Sequence, residues 1–377
     1  MKNKSAWRAF ALLVSAVLFA ACSVSQSGSQ DKTGSGSKAA AFDLSAPTKG
    51  PNGEASTSVE SIPALTDAEI AKVKAAQYKV AFLHAGTSTW YSSMQAGATA
   101  EIEQLGMKVV STAQADFDPA KQASQVETAM ARKPDIIVTL PVDPVSAAQA
   151  FKPAVAAGVK IVMVDNGING YTAGKQYVSI VTGDHYRMGE GAADLMNQAL
   201  GGKGKIGYIF HDADFYVTNN RDKAFKAAIE QKYPQIKIVA SAGFTAESQT
   251  SDIASTMLTR HPDLDGIYVS WSAAATGVLA ALRDAGNNHV KVTSIDLDAT
   301  NDVQIAKGGN LFGVTADRPF QEGQTMIRLA AMSLLGKQTP PFVVVKVVTE
   351  TRDTVDQAWR ESLNQQPPAA IADALKK

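Results

Sequence analysis

From Tyr78 onward, short apolar runs alternate with stretches whose apolar residues recur three and four apart. The runs predict strands over 79–84, 108–111, 135–140, 160–164, 178–181, 205–210, 237–240, 266–270, 291–295, 312–315 and 342–348. The stretches between them predict helices over 92–105, 119–132, 145–157, 185–200, 218–232, 247–260, 273–285 and 321–335. Ahead of this alternation, Thr66-Asp67-Ala68-Glu69 has the form of a capping box and starts a short helix with Ile70 and Val73 on one face.

Several runs are apolar at every position: Ile136-Ile137-Val138, Ile161-Val162-Met163-Val164 and Ile206-Gly207-Tyr208-Ile209-Phe210. Parallel strands covered by helices on both faces have this pattern. Alternating strands and helices then imply an α/β fold with doubly wound parallel sheets. The chain has 377 residues, too many for one ordinary core and enough for two lobes with tails. The strands up to 178–181 make one lobe, and those from 205 to 295 make another. Residues 353–377 have weak periodicity and read as a peripheral tail.

Composition adds the compartment. Hydrophobic residues at 45% and charged ones at 19% are an ordinary globular balance. Lys2, Lys4 and Arg8 form a positive start, and Phe10 to Ala21 is an apolar stretch too short to span a bilayer as a stable helix. Residues 1–21 read as a signal peptide. The one cysteine, Cys22, follows Leu18-Phe19-Ala20-Ala21, which resembles a bacterial lipobox and predicts lipidation of Cys22. The alternative is a buried thiol after a plain signal peptide. Residues 22–62 are rich in Ser, Gly and Pro and read as a flexible, lipid-anchored tether with a reach of about 30–35 Å. Loss of the leader turns the balanced charge of the whole chain slightly acidic, so no basic face invites nucleic acid.

In doubly wound sheets ligands sit beyond the carboxyl ends of the strands. After the first strand come Trp90 and Tyr91, adjacent rings in a polar loop. They are either a stacking platform for a flat ligand face or a cap on the sheet end. After the run 160–164 come Asp165 and Asn166, where an acid can accept hydrogen bonds from vicinal hydroxyls. After 205–210 comes a polar and aromatic loop from His211 to Arg221, in which Asp214, Phe215 and Asn219 are candidates. His211, Asp212 and Asp214 lack a second cluster at ligand spacing, so no metal is expected. Trp271 and Asp296 follow two later strands, and Asp317 precedes the helix at 321. This set, rich in Trp, Tyr, Phe, Asp and Asn, suits neutral hydroxylated ligands better than phosphates. Gly201-Gly202-Lys203-Gly204-Lys205 is followed by Ile206 and a strand, so it is a turn and not a phosphate loop. No nucleophile–base motif or cofactor fingerprint is present.

From Tyr78 to Val348 the chain resembles the ribose-type (type I) periplasmic sugar-binding family of ABC transporters. The resemblance is carried by Trp90 to Gly97, Ile136 to Asp165, Gly183 to Gly189, Asn219-Asn220-Arg221 with Ala224-Phe225, Arg260 to Leu264, and Asp296. It implies two doubly wound parallel-sheet lobes joined by a three-stranded hinge. One lobe would hold 63–183 plus 318–345, the other 184–317 plus 346–352. It also implies that Trp90 and Tyr91 stack on the ligand and that Asp165 and Asp296 hold its hydroxyls from opposite lobes. Asn166 and Asn219 stand where the ribose-type pattern has arginines, Leu140 and Trp271 where it has asparagines, and Asp317 where it has glutamine. The expected protein is a non-enzymatic, extracytoplasmic solute-binding lipoprotein of an ABC importer. It would act as a monomer without cofactor, closing on a small neutral polyhydroxylated ligand and docking on a permease. The alternative is a sensing role, in which the closed form docks on a receptor or sensor kinase.

Overall fold

The capping box at Thr66 forms. Its hydroxyl accepts from the Glu69 backbone N–H at 3.3 Å, and the Glu69 carboxylate accepts from the Thr66 N–H at 2.8 Å, opening the helix Asp67–Ala76. The structure is a computed structural model that describes residues 42–376. Residues 1–21, expected to be a signal peptide, and Cys22 lie outside the described residues.

The strands in chain order are β1 Thr57–Ser58, β2 Lys79–His84, β3 Lys108–Gln114, β4 Ile136–Thr139, β5 Lys160–Val164, β6 Ser179–Gly183, β7 Gly204–His211, β8 Ile236–Phe244, β9 Gly266–Val269, β10 Lys291–Ile295, β11 Leu311–Ala316, β12 Phe342–Val345 and β13 Val348–Glu350. They form two sheets. One has the order β1-β12-β6-β5-β4-β2-β3 and the other β13-β11-β10-β9-β7-β8. All pairs are parallel except β13 with β11. Every residue of β4 is buried, as the wholly apolar run required, because helices cover both faces. The chain passes between the sheets after β6, after β11 and between β12 and β13.

Four features differ from the sequence reading. The helix expected over 145–157 is broken at Phe151 into Pro144–Ala150 and Lys152–Ala156, because Pro153 has no N–H to continue the ladder. The single strand expected over 342–348 is two strands in different sheets, with Lys346 and Val347 as the crossing. The tail expected from 353 is a working part of the second lobe. Val355, Ala358, Trp359 and Leu363 share one face of the helix Val355–Leu363, and Trp359 is 1% exposed in the core. The repeat there is only nine residues long, too short to stand out by periodicity.

The tether expected over 22–62 is packed down along its described part. The Phe42 ring meets Tyr186 edge-on at 4.7 Å, and Arg187 donates to the carbonyls of Leu44 and Ala46. Thr48 is buried and donates to Asp184 at 2.5 Å, and Tyr216 donates to the Lys49 carbonyl. Tyr177 then donates to Glu54 at 2.8 Å, and β1 pairs with β12. The segment therefore starts on the second lobe and ends in the first sheet. Average composition hides this, because single apolar anchors and backbone pairing need few hydrophobic residues.

Candidate ligand-binding cleft

The helix Thr89–Gln104 starts at the carboxyl end of β2, with the Ser88 hydroxyl accepting from the Tyr91 N–H. Its first turn presents Trp90 and Tyr91, with their rings edge-on at 4.9 Å. The Trp90 indole N–H donates to both oxygens of Asp317, at 3.0 and 3.1 Å. Asp317 lies where β11 leaves the second sheet and the helix Pro319–Leu334 begins. The two helices meet backbone to backbone. A Cβ on Gly97 would stand 1.9 Å from the Phe320 carbonyl oxygen, and one on Gly323 would stand 1.9 Å from that of Met94. This contact fixes the distance between Trp90 and Asp317. Gly183, at the end of β6, leaves room for Asp317 in the same way, since a Cβ there would be 2.7 Å from the Asp317 Cβ.

Asp165 and Asp296 follow β5 and β10 directly, and both have left-handed backbone, at φ 62° and 73°. Asp165 accepts from the Thr182 hydroxyl at 2.6 Å, which also lies 2.6 Å from the His185 Nε2. Asp296 lies 3.4 Å from Arg221, whose side chain is buried. Burial pushes the Asp296 carboxyl up, and repulsion from Asp165 adds to this against the attraction of Arg221. Burial, then Asp296, then Asp165 push the Asp317 carboxyl well above the ordinary range. Glu322, in the first turn of Pro319–Leu334, is fully buried and is raised by burial and by Asp317, Asp165 and Asp296. The Tyr91 phenol is raised by burial and by the nearby Asp165. These groups belong to one electrostatic cluster that draws on both lobes.

Phe215, before the helix Tyr216–Lys232, packs against the first-lobe cluster that includes Trp90 and Tyr91. The lobes therefore touch across the cleft. Asn166 is buried, donates to the Pro141 carbonyl at 3.2 Å and keeps its Oδ1 without a partner. Asn219 is half-buried on the helix Tyr216–Lys232, and Asp214 is exposed. Trp271 donates to Glu247 at 2.6 Å and packs on His211 and Phe244, at 5.0 and 4.7 Å. The structure thus gathers Trp90, Tyr91, Asp165, Asp296, Asp317 and Phe215, while Asp214 stands apart and Trp271 joins the aromatic group of its own lobe.

Sequence reading missed Thr182, His185, Arg221 and Glu322 as parts of this cluster. A signal existed for two of them. Arg221 shares the buried phase of its helix with Thr218 and Phe225, and Glu322 shares one with Pro319, Gly323 and Met326. A charged residue on a buried helical phase needs a reason.

Comparison with known proteins agrees with this architecture. The sequence model of the family described as periplasmic binding protein domain matches residues 80–338. The ribose import binding protein of Bacillus subtilis is 25% identical over 264 residues, covering 70% of this chain and 83% of that protein. The xylitol-binding protein of Mycolicibacterium smegmatis is 25% identical over 248 residues, covering 65% of this chain and 69% of that one. A carbohydrate transporter solute binding protein from Agrobacterium radiobacter, solved in complex with D-arabinose, superposes with a TM-score of 0.67 at 25% identity, covering 77% of this chain and 99% of that one. With the family model spanning most of the chain and two parallel-sheet lobes meeting at a polar cleft, this chain belongs to the periplasmic binding protein family, the solute-binding components of ABC importers.

Proposed function

We propose that the chain captures a small neutral sugar or sugar-like polyol between its lobes and presents the closed form to an ABC permease. The observation that carries this reading is the pairing of Asp165 and Asp296, one from each lobe, beside the Trp90–Tyr91 ring pair. Carboxylates accept charge-assisted hydrogen bonds from hydroxyls, and rings cover the apolar face of a sugar. A ligand held from both lobes has more contacts in the closed form and so favours closure. The relatives described as ribose import and xylitol-binding proteins, and the neighbour solved in complex with D-arabinose, support a hydroxylated ligand. Asn166 and Asn219 lack the guanidinium forks of the ribose-type pattern, so the ligand is held differently from ribose.

The test is a thermal-shift screen of the purified protein against sugars and polyols, followed by calorimetry. A binder among them supports the reading. A protein stabilised only by amino acids or other solutes without several hydroxyls would overturn it.

Lipidation of Cys22 would keep the protein at the membrane outside the cytoplasm. Among the described residues no helix is long and apolar enough to cross a membrane. Intact-mass measurement of the processed protein should show an acylated N-terminus at Cys22, and Cys22→Ser should release the protein from the membrane fraction. A mature chain that starts elsewhere and carries no lipid would exclude the anchor.

A further inference from the structure

Asp317 and Glu322 form a buried pair of carboxyls, neither of which has an ion-pair partner among the described residues. Asp317 is 3% exposed, and its hydrogen-bond donor among the described residues is the Trp90 indole. Glu322 is 0% exposed, and neither of its oxygens has a donor among the described residues, although it faces Asp317. Two ionised carboxylates in contact inside a protein repel each other and go unsolvated, so one proton between them is the low-energy arrangement. That proton would give Glu322 the partner it lacks.

We propose that Glu322 is a positioning residue that shares one proton with Asp317 and so fixes Asp317 as an acceptor for a ligand hydroxyl. The pair feels the charge of the two strand-end aspartates. Glu322 holds one side of Asp317 and Trp90 supplies its N–H, which leaves the remaining lone pairs for the ligand. Loss of the shared proton adds a negative charge next to Asp165 and Asp296 and works against closure. Ligand affinity should therefore fall by about tenfold per pH unit above the midpoint of the pair, because one proton is lost.

The groups facing the pair are Asp165 and Asp296 at the strand ends, Arg221 on the helix Tyr216–Lys232, and Trp90 on the helix Thr89–Gln104. Tyr91 lies beside the same aspartates. Other charges on the packed helices are engaged elsewhere: Glu101 with Arg328 at 3.0 Å, and Arg318 with Glu361 at 2.8 Å. His185 is held by Thr182 at 2.6 Å. Arg221 is shared with Asp296, so the cluster retains more acid than base.

The decisive test needs no ligand, so it stands apart from the sugar reading on which the affinity statement rests. The Trp90 indole N–H resonance, which reports on Asp317, is followed against pH in the ligand-free protein. The expected result is one step above the ordinary carboxylate range, shifted in Glu322→Gln and absent in Asp317→Asn. A step within the ordinary range, or one unchanged in Glu322→Gln, would overturn the proposal. Should these variants not fold, carbon-13 shifts of the side-chain carboxyls in the unmodified protein decide. A protonated carboxyl in this pair near neutral pH supports the shared proton, and two ionised ones refute it. With a binder from the sugar screen as probe, the parent should lose affinity as pH rises and Glu322→Gln should shift that loss to a different pH.

Discussion

The backbone N–H of Asp165 donates to the Val181 carbonyl at 3.1 Å, and that of Asp296 donates to the Thr315 carbonyl at 2.8 Å. Each aspartate is thus bonded to the neighbouring strand that leads out of its lobe, β6 in one and β11 in the other. Each then turns into left-handed backbone. That conformation costs a residue with a Cβ about 1–2 kcal/mol, and aspartate is among the side chains that tolerate it. Strain of this kind concentrates at functional sites. The matched geometry ties both aspartates to the strands from which the chain crosses between the lobes.

Asp165→Ala and Asp296→Ala should each weaken ligand binding by about tenfold or more, the equivalent of at least ~1.4 kcal/mol. Asp→Asn at either site tolerates the left-handed turn and removes the charge, so it separates loss of acceptor strength from loss of backbone fit. Calorimetry with the screened ligand reads both. Unchanged affinity in the two alanine variants would remove these residues from the site.

Trp90→Phe keeps a ring and deletes the indole donor to Asp317, while Trp90→Ala removes both. The expected order of affinity is parent, then Phe, then Ala, with Ala lower by at least ~1–2 kcal/mol. Ligand should also change the tryptophan fluorescence of the parent. Equal binding by the parent and Trp90→Ala would make the ring pair a cap on the sheet end.

Gly323→Ala places a methyl against the Met94 carbonyl oxygen, a contact of 1.9 Å that backbone must relieve. The helices Thr89–Gln104 and Pro319–Leu334 then separate, and Trp90 moves away from Asp317. The variant should lose both stability and affinity, with overpacking costing roughly 1–3 kcal/mol. Gly336→Ala meets nothing nearby but has φ +75°, so it should lower stability while sparing affinity. Denaturant melts paired with titrations separate the two effects.

A second buried acid pair predicts a pH dependence of stability. Burial and the neighbouring Asp302 push the Glu350 carboxyl up to about 10 from 4.5. Asp302 is itself raised by burial, while its Oδ2 accepts from the Asp298 N–H at 2.9 Å. The folded state therefore holds a proton that the unfolded chain releases. This stabilisation is complete below the unfolded value and is lost as pH rises towards the folded one. Denaturation midpoints should fall between about pH 5 and about pH 9, and Glu350→Gln should flatten that slope. A parent more stable at the alkaline end would contradict the assignment.

The sheets were legible because residues such as Ile136–Val138 and Ile161–Val164 carry their environment in their own side chains. The position of Asp165 and Asp296 at strand ends was legible because each directly follows an apolar run. Glu322 and Arg221 were not, because each depends on a partner from a distant part of the chain. Arg221 meets Asp296, and Glu322 meets an aspartate across a helix start that sequence reading placed at Gln321 and the structure places at Pro319. The packed segment from Phe42 to Ser58 was missed for a similar reason. Its bonds run through backbone carbonyls at Leu44, Ala46 and Lys49, which every sequence possesses.

That segment also sets a mechanical load path. Tension arriving from upstream of Phe42 enters the molecule on the second lobe, at Tyr186, Arg187 and Gln231. It reaches the first sheet only after Thr48 and Glu54 have given way in turn. Side-chain contacts taken one at a time give way singly, whereas Thr57 and Ser58 are held by backbone pairing with β12. A modest pull would therefore strip the segment from the second lobe while its attachment to the first holds.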